Sequence, residues 1–132
     1  MDDLYQQELL DHYHKPHNFG QLTDPTCRVT EVNASCGDSM SLDLKVENSV
    51  KGLIVLDASF TGIGCAVSVA AASLLTDHVK GRTVAELKKI DFEFMQDLIG
   101  TTISPGRIKC LTLSAKALLN ALDKALAAFN KA

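Results

Sequence analysis

Cys36, Asp38, Cys65 and Cys110 are the residues of this chain whose types and settings could do chemistry together. Cys36 lies in Ser35-Cys36-Gly37-Asp38. Cys65 closes Gly62-Ile63-Gly64-Cys65, and Cys110 closes Arg107-Ile108-Lys109-Cys110. Three thiolates and one carboxylate are four donors, enough to close a tetrahedral zinc site or to hold an iron–sulfur cluster. The cysteines stand 29 and 45 positions apart, too far for a zinc-finger knuckle. Only a folded domain could bring them together. A site assembled by a fold can stay partly open, and a partly open thiolate site can react.

The elements that must position these residues follow from periodicity. Residues 2–14 carry Tyr5, Leu9, His12 and Tyr13 on one helical stripe,, and Lys15-Pro16 ends it. Three strands come next, at 27–33, 40–47 and 53–60. In the second, Met40, Leu42, Leu44 and Val46 face one way and Ser41, Asp43, Lys45 and Glu47 the other,. In the third, Ile54, Leu56, Ala58 and Phe60 share a face, with Asn48-Ser49 as the turn before it. In the first, Val29 and Val32 do not alternate cleanly.

The period then changes from two to 3.6 residues. A helix is expected over 65–79, ending at Gly81. Thr83-Val84-Ala85-Glu86 reads as a capping box. Asp91 caps a further helix running to Gly100. Ser104-Pro105-Gly106 breaks the chain, and a last helix covers 108–130 with Leu111, Ala115, Leu118, Leu122, Ala125 and Phe129 on its stripe. Strands together and helices together predict an α+β fold: a small three-stranded antiparallel sheet with helices packed on one face.

On this layout Cys36 and Asp38 fall at a strand connection, and Cys65 and Cys110 near helix starts. Free N–H groups at a helix start favour a thiolate, and Arg107 and Lys109 add positive charge near Cys110. Three readings stand for the cysteines. They are buried small residues, the habit of free Cys; or they share a metal or sulfur site; or two of them form a disulfide. The Gly-rich and base-flanked settings weaken the first reading. Cys27, at a strand start without such a frame, reads as structural. His12, His14, His17 and His78 lack paired metal spacing and read as surface or hydrogen-bonded histidines.

Composition bounds the rest. The chain has 132 residues, of which 46% are apolar and 5% aromatic, with no Trp. That is the size of one domain, 1–132, with a core of Leu, Val, Ile and Ala. A net charge of −3 without a dense basic patch excludes nucleic acid as the main partner. No apolar run reaches the roughly 18 residues that span a bilayer. The acidic start Met1-Asp2-Asp3 lacks the pattern of a signal peptide. The expected location is cytoplasmic, where cysteines serve as ligands, reactive groups or core rather than disulfides.

At these residues the chain resembles the IscU/SufU family of iron–sulfur cluster assembly proteins, also called NifU-like. Asp11-His12-Tyr13 with Pro16, Asn18 and Gly20 is similar to the family's N-terminal segment. Cys36-Gly37-Asp38, Phe60 to Cys65 with Ser68 to Ser73, and Arg107-Ile108-Lys109-Cys110 are similar to its three ligand motifs. The resemblance implies a SufE/NifU-like fold, with Cys36, Asp38, Cys65 and Cys110 as ligands and Cys110 as sulfur acceptor, supported electrostatically by Lys109. It implies a cysteine desulfurase as sulfur source, apo iron–sulfur proteins as recipients, and a [2Fe–2S] cluster or iron, or Zn2+, at the same donors. Asp38 is a harder, more exchangeable ligand than a fourth thiolate would be, which suits a site that must release its cargo.

Two departures mark the chain within that family. Lys109 stands where the IscU branch has His, as in the SufU branch. Ile103-Ser104-Pro105-Gly106-Arg107 replaces the segment that a dedicated Hsp70 reads, so the resemblance gives no basis for that chaperone. The stretch 82–107 is also too short for the extra segment of many SufU proteins. Scaffold and zinc-dependent sulfur carrier both remain open at this point, as does a structural zinc interaction module.

Overall fold

A computed structural model describes residues 3–35 and 37–130. Cys36 therefore lies outside the described residues, as does the side chain of Tyr5. The order is α1 (Asp3–His14), β1 (Cys27–Asn33), β2 (Asp38–Ser49), β3 (Gly52–Ile63), α2 (Ala66–Val79), α3 (Val84–Leu87), α4 (Phe92–Ile99), a 3-10 turn (Pro105–Arg107) and α5 (Ile108–Asn130). The sheet is an antiparallel meander in the order β1-β2-β3, as the short connections require.

Met40, Leu42, Leu44 and Val46 of β2 are all buried, which is the face that their alternation predicted. α5 packs on β1 and β2, and α2 packs on β3 and α5. Leu111, Leu118, Leu122 and Ala125 of α5 are fully covered there. The helix ends follow local chemistry. Thr83 Oγ1 accepts from Glu86 N at 3.1 Å and Asp91 Oδ1 from Phe94 N at 2.9 Å. Each bond satisfies an N–H that a helix start leaves orphaned.

The third strand departs from strict alternation. Lys45 pairs with Asp57 but Val46 with Val55, so Leu56 is an extra residue in β3. This bulge flips the faces on its N-terminal side. Val55 is buried and Leu56 is 45% exposed, the reverse of the expected face, while Ala58 and Phe60 point inward as predicted. β2 and β3 also run past their expected ends, through Asp38 and Ile63. The hydrogen-bonded ladder continues there although the apolar pattern has stopped. That extension carries Asp38 from a presumed loop into the sheet.

Asp43 was expected to face solvent, yet it is 2% exposed. The segment before β1 returns across the polar face of the sheet, and Leu22 N donates to Asp43 Oδ2 at 2.9 Å. Arg28 clamps the same carboxylate from its register partner position, at 2.6 and 2.8 Å. Burial alone would push the Asp43 carboxyl up. The Arg28 guanidinium and the Leu22 N–H outweigh it and hold the group below the usual carboxylate range,.

α1 lies along α2 through polar contacts. His12 Nδ1 pairs with Ser73 Oγ at 2.6 Å, and His17 N donates to the same oxygen at 2.8 Å. Asn18 Nδ2 donates to Thr76 Oγ1 and to Asp77 Oδ1. These bonds satisfy Ser73 and Thr76, which are otherwise buried on an Ala-rich helix,. Two of the four histidines thus dock the N-terminal segment.

Candidate metal and sulfur site

The ladder between β2 and β3 places Ser39 opposite Ile63, so Asp38 meets the chain where β3 passes into α2. Cys65 is the N-cap residue of α2, with extended backbone. Its N–H donates to Asp38 Oδ1 at 3.3 Å. Cys110 arrives from the first turn of α5. Among the described residues, Asp38, Cys65 and Cys110 form a group whose donor atoms all lie within 4.8 Å of one another. Bonds of 2.0–2.3 Å to a tetrahedral zinc would set donors roughly 3.3–3.8 Å apart. The three therefore need close in by only about an ångström.

Glycine makes this approach feasible. A Cβ on Gly62 would collide with the backbone oxygen of Ser39, so β3 could not pair so closely there. A Cβ on Gly64 would collide with Ser68 Oγ and sit 3.1 Å from Asp38 Oδ1. The glycines before Cys65 thus allow close packing of backbone against the Ser39 strand, Ser68 and the Asp38 carboxylate.

The electrostatics favour bound positive charge. Asp38 is 1% exposed and its Oδ2 has no hydrogen-bond partner. A buried carboxylate oxygen left so is costly, and a cation held jointly with the thiols would relieve that cost. The donor set thus fits zinc or iron by this structure's own geometry. Burial acts to raise the Cys65 thiol pKa. It is outweighed by the backbone N–H of Ser68, by Cys110, by the Ser68 hydroxyl and by the backbone N–H of Val67, so Cys65 titrates below an ordinary thiol,. Ser68 Oγ itself donates to Cys65 O at 3.0 Å and lies 3.8 Å from Cys65 Sγ.

Of the two cations expected near Cys110, Arg107 makes the contact. The thiols of Cys110 and Cys65 together raise the Arg107 pKa above the ordinary arginine value. Lys109 is exposed on the first turn of α5. Cys110 is completely buried, while Cys65 is partly exposed. Cys27 is a buried core residue whose thiol donates to Ala121 O at 3.2 Å, and burial pushes its pKa up. None of His12, His14, His17 and His78 belongs to the donor group. Ser68 was missed as a site residue, although its spacing three residues after an N-cap cysteine is the spacing of a capping box.

A three-stranded meander with helices over one face, and at its rim an acid–thiol group that could hold a metal ion, defines an α+β protein with a candidate metal centre. The chain belongs to the family of the NifU-like N terminal domain, whose profile it matches over residues 4–131. It is 38% identical to the zinc-dependent sulfurtransferase SufU of Bacillus subtilis, covering 94% of this chain and 92% of that one. It is 35% identical to the iron-sulfur cluster assembly scaffold protein IscU of Azotobacter vinelandii, covering 86% of this chain and 88% of the relative. A solved SufU structure from Fervidobacterium islandicum, described as a putative iron-sulfur cluster assembly scaffold, superposes with a TM-score of 0.69 at 25% identity. It covers 88% of this chain and 94% of that one. No helix among the described residues is long and apolar enough to cross a membrane.

Proposed function

We propose that this protein is an iron–sulfur cluster assembly scaffold of the cytoplasm. It accepts sulfur from a cysteine desulfurase as a persulfide, takes two electrons per sulfur from an external thiol or electron carrier to reduce it to sulfide, combines that sulfide with iron on Cys36, Asp38, Cys65 and Cys110, and passes the cluster to apo-proteins. The observation that carries this reading is the buried, half-satisfied Asp38 carboxylate set against two thiols of different elements. Cys36 completes the donor set from two residues upstream of Asp38. Zinc at the same donors would keep the thiols deprotonated between sulfur deliveries.

Sulfur arrives as a persulfide on the donor. The Cys110 thiolate attacks the outer sulfur and a new S–S bond forms. The donor's S–S bond breaks, and its electron pair leaves with the donor thiolate. The proton stays on the transferred sulfur or is lost to solvent. Because Cys110 is wholly buried, its thiol must be uncovered before it can attack. Lys109, exposed one residue before Cys110, adds positive charge toward an incoming anionic sulfur.

A zinc-dependent sulfurtransferase is the second reading, favoured by Lys109 in place of His and by the similarity to the Bacillus protein. Anaerobic reconstitution with iron, cysteine and a desulfurase separates the two. A two-iron cluster spectrum, followed by transfer to an apo-ferredoxin, is the scaffold result. Retained zinc with faster desulfurase turnover and no cluster is the carrier result, and it overturns the first reading.

A further inference from the structure

Asn33 Nδ2 and Ser114 Oγ are buried with no hydrogen-bond partner, like Asp38 Oδ2. A metal ion accounts for the carboxylate oxygen but not for the amide N–H, because a cation needs lone pairs and an N–H offers none. Ser59 Oγ, the other such atom among the described residues, stands in mid-sheet opposite Asp43 and away from the thiols. Asn33 and Ser114 both border the site. Asn33 is the last residue of β1 and pairs directly with Asp38, so the two side chains share one face of the sheet. Ser114 lies one turn after Cys110 on α5 and is 1% exposed. Residues four apart share a helix face, and helical side chains lean toward the N-terminus. Ser114 therefore leans over the turn that carries Cys110.

Two buried donors, one on β1 beside Asp38 and one on α5 a turn after Cys110, call for an acceptor that they lack in this structure,. We propose that Asn33 and Ser114 are positioning residues for a second sulfur atom: the outer, anionic sulfur of a persulfide on Cys110. This inference rests on the sulfur-accepting role proposed above. An S–S bond adds about 2 Å of reach beyond the thiol, which extends an acceptor toward donors that the bare thiol leaves unpaired. Arg107, exposed three residues before Cys110 and electrostatically coupled to its thiol, supplies the compensating charge from the solvent side. Hydrogen bonds to sulfur of this kind steady an anionic sulfur and tune its reactivity. The two donors thereby keep delivered sulfur on Cys110 until iron arrives.

The test uses inorganic polysulfide as sulfur donor, so that no desulfurase contact is involved. The Cys110 thiolate forms the new S–S bond, one S–S bond of the polysulfide breaks, and the shortened polysulfide anion carries away the electron pair. Wild type, Ser114→Ala, Ser114→Thr and Asn33→Leu, all metal-free, are loaded and then exposed to a monothiol. Persulfide on Cys110 is followed by peptide mass spectrometry after alkylation. Zinc affinity is measured in parallel by chelator competition, and slow alkylation of the buried Cys27 reports an intact fold.

In Ser114→Ala and Asn33→Leu the persulfide should decay about tenfold faster, the scale of one hydrogen bond to a charged group. Zinc affinity in Ser114→Ala should stay within about twofold, since the hydroxyl is not a ligand. Ser114→Thr, which keeps the hydroxyl, should decay like wild type. Unchanged decay in Ser114→Ala overturns the inference and leaves its hydroxyl to a water molecule. Parallel loss of zinc affinity and persulfide also overturns it, making the residue merely structural. Wild type that binds zinc but takes no sulfur overturns the sulfur-accepting role itself.

Discussion

Replacing Asp38 by alanine should stabilise the metal-free protein and weaken its hold on zinc. The signs differ because the carboxylate is poorly accommodated without a cation. Asp38 is 1% exposed, its Oδ1 accepts one long bond from Cys65 N at 3.3 Å, and its Oδ2 accepts none. Removing it forfeits that bond, about 1 kcal/mol, and relieves a buried unsatisfied group that costs about 1–3 kcal/mol. The net gain is on the order of 1 kcal/mol, or roughly 3–5 °C in Tm for a chain of this size. On the proposed donor set zinc loses a ligand, so its affinity should fall by more than the roughly 10–100-fold typical of losing a residue that only orients a ligand. Thermal melts in chelator and with one equivalent of zinc read both effects in one preparation. Zinc should raise the Tm of wild type well above that of the variant, although chelated wild type melts lower. A chelated variant that melts below chelated wild type would refute the reasoning, since Asp38 would then already be satisfied in the apo protein.

Three further outcomes follow from the same geometry. Gly64→Ala should lower zinc affinity by about 10–100-fold, because its Cβ displaces Ser68 Oγ and crowds Asp38 Oδ1; chelator competition checks it, and wild-type affinity would contradict it. Asp43→Asn should lower the Tm by several degrees near neutral pH, because Arg28 and the Leu22 N–H lose their buried acceptor. Since the folded Asp43 pKa is depressed, its contribution is fully present above the ordinary carboxylate pKa of about 4 and is lost as pH falls through the lower folded value. The Tm difference between wild type and variant should therefore shrink in acid, and a constant difference would count against the pair. Cys110→Ser should abolish sulfur acceptance from a desulfurase, read by mass spectrometry; undiminished labelling would move the acceptor to the partly exposed Cys65.

Much of the fold was legible because its signals are local. Thr83 and Asp91 cap the helices that their spacing announces, and Met40 to Val46 alternate into the core as written. Asp38, Cys65 and Cys110 were recognisable through the breakers beside them, and the same glycines prove to be what lets Cys65 approach Asp38. The misses were non-local. Period two cannot register a bulge, so Leu56 was assigned to the wrong face. Asp43 is buried by a segment that crosses the sheet from earlier in the chain, which alternation within β2 cannot foresee. Arg107, on the turn before α5, is the cation whose pKa both thiols raise, a difference from Lys109 set by helix phase rather than by distance in sequence. His12 and His17 dock on Ser73, a pairing 61 residues apart for His12 that no short motif announces.

X-ray absorption at the zinc edge of the zinc-loaded protein tests the central claim most directly. The account predicts three sulfur neighbours near 2.3 Å and one oxygen near 2.0 Å, from Cys36, Cys65, Cys110 and Asp38. The Asp38→Ala variant should keep the three sulfurs and change only the light-atom shell. A four-sulfur site, or one made of nitrogen and oxygen alone, would contradict it, since either would place the metal away from the donors gathered around Asp38.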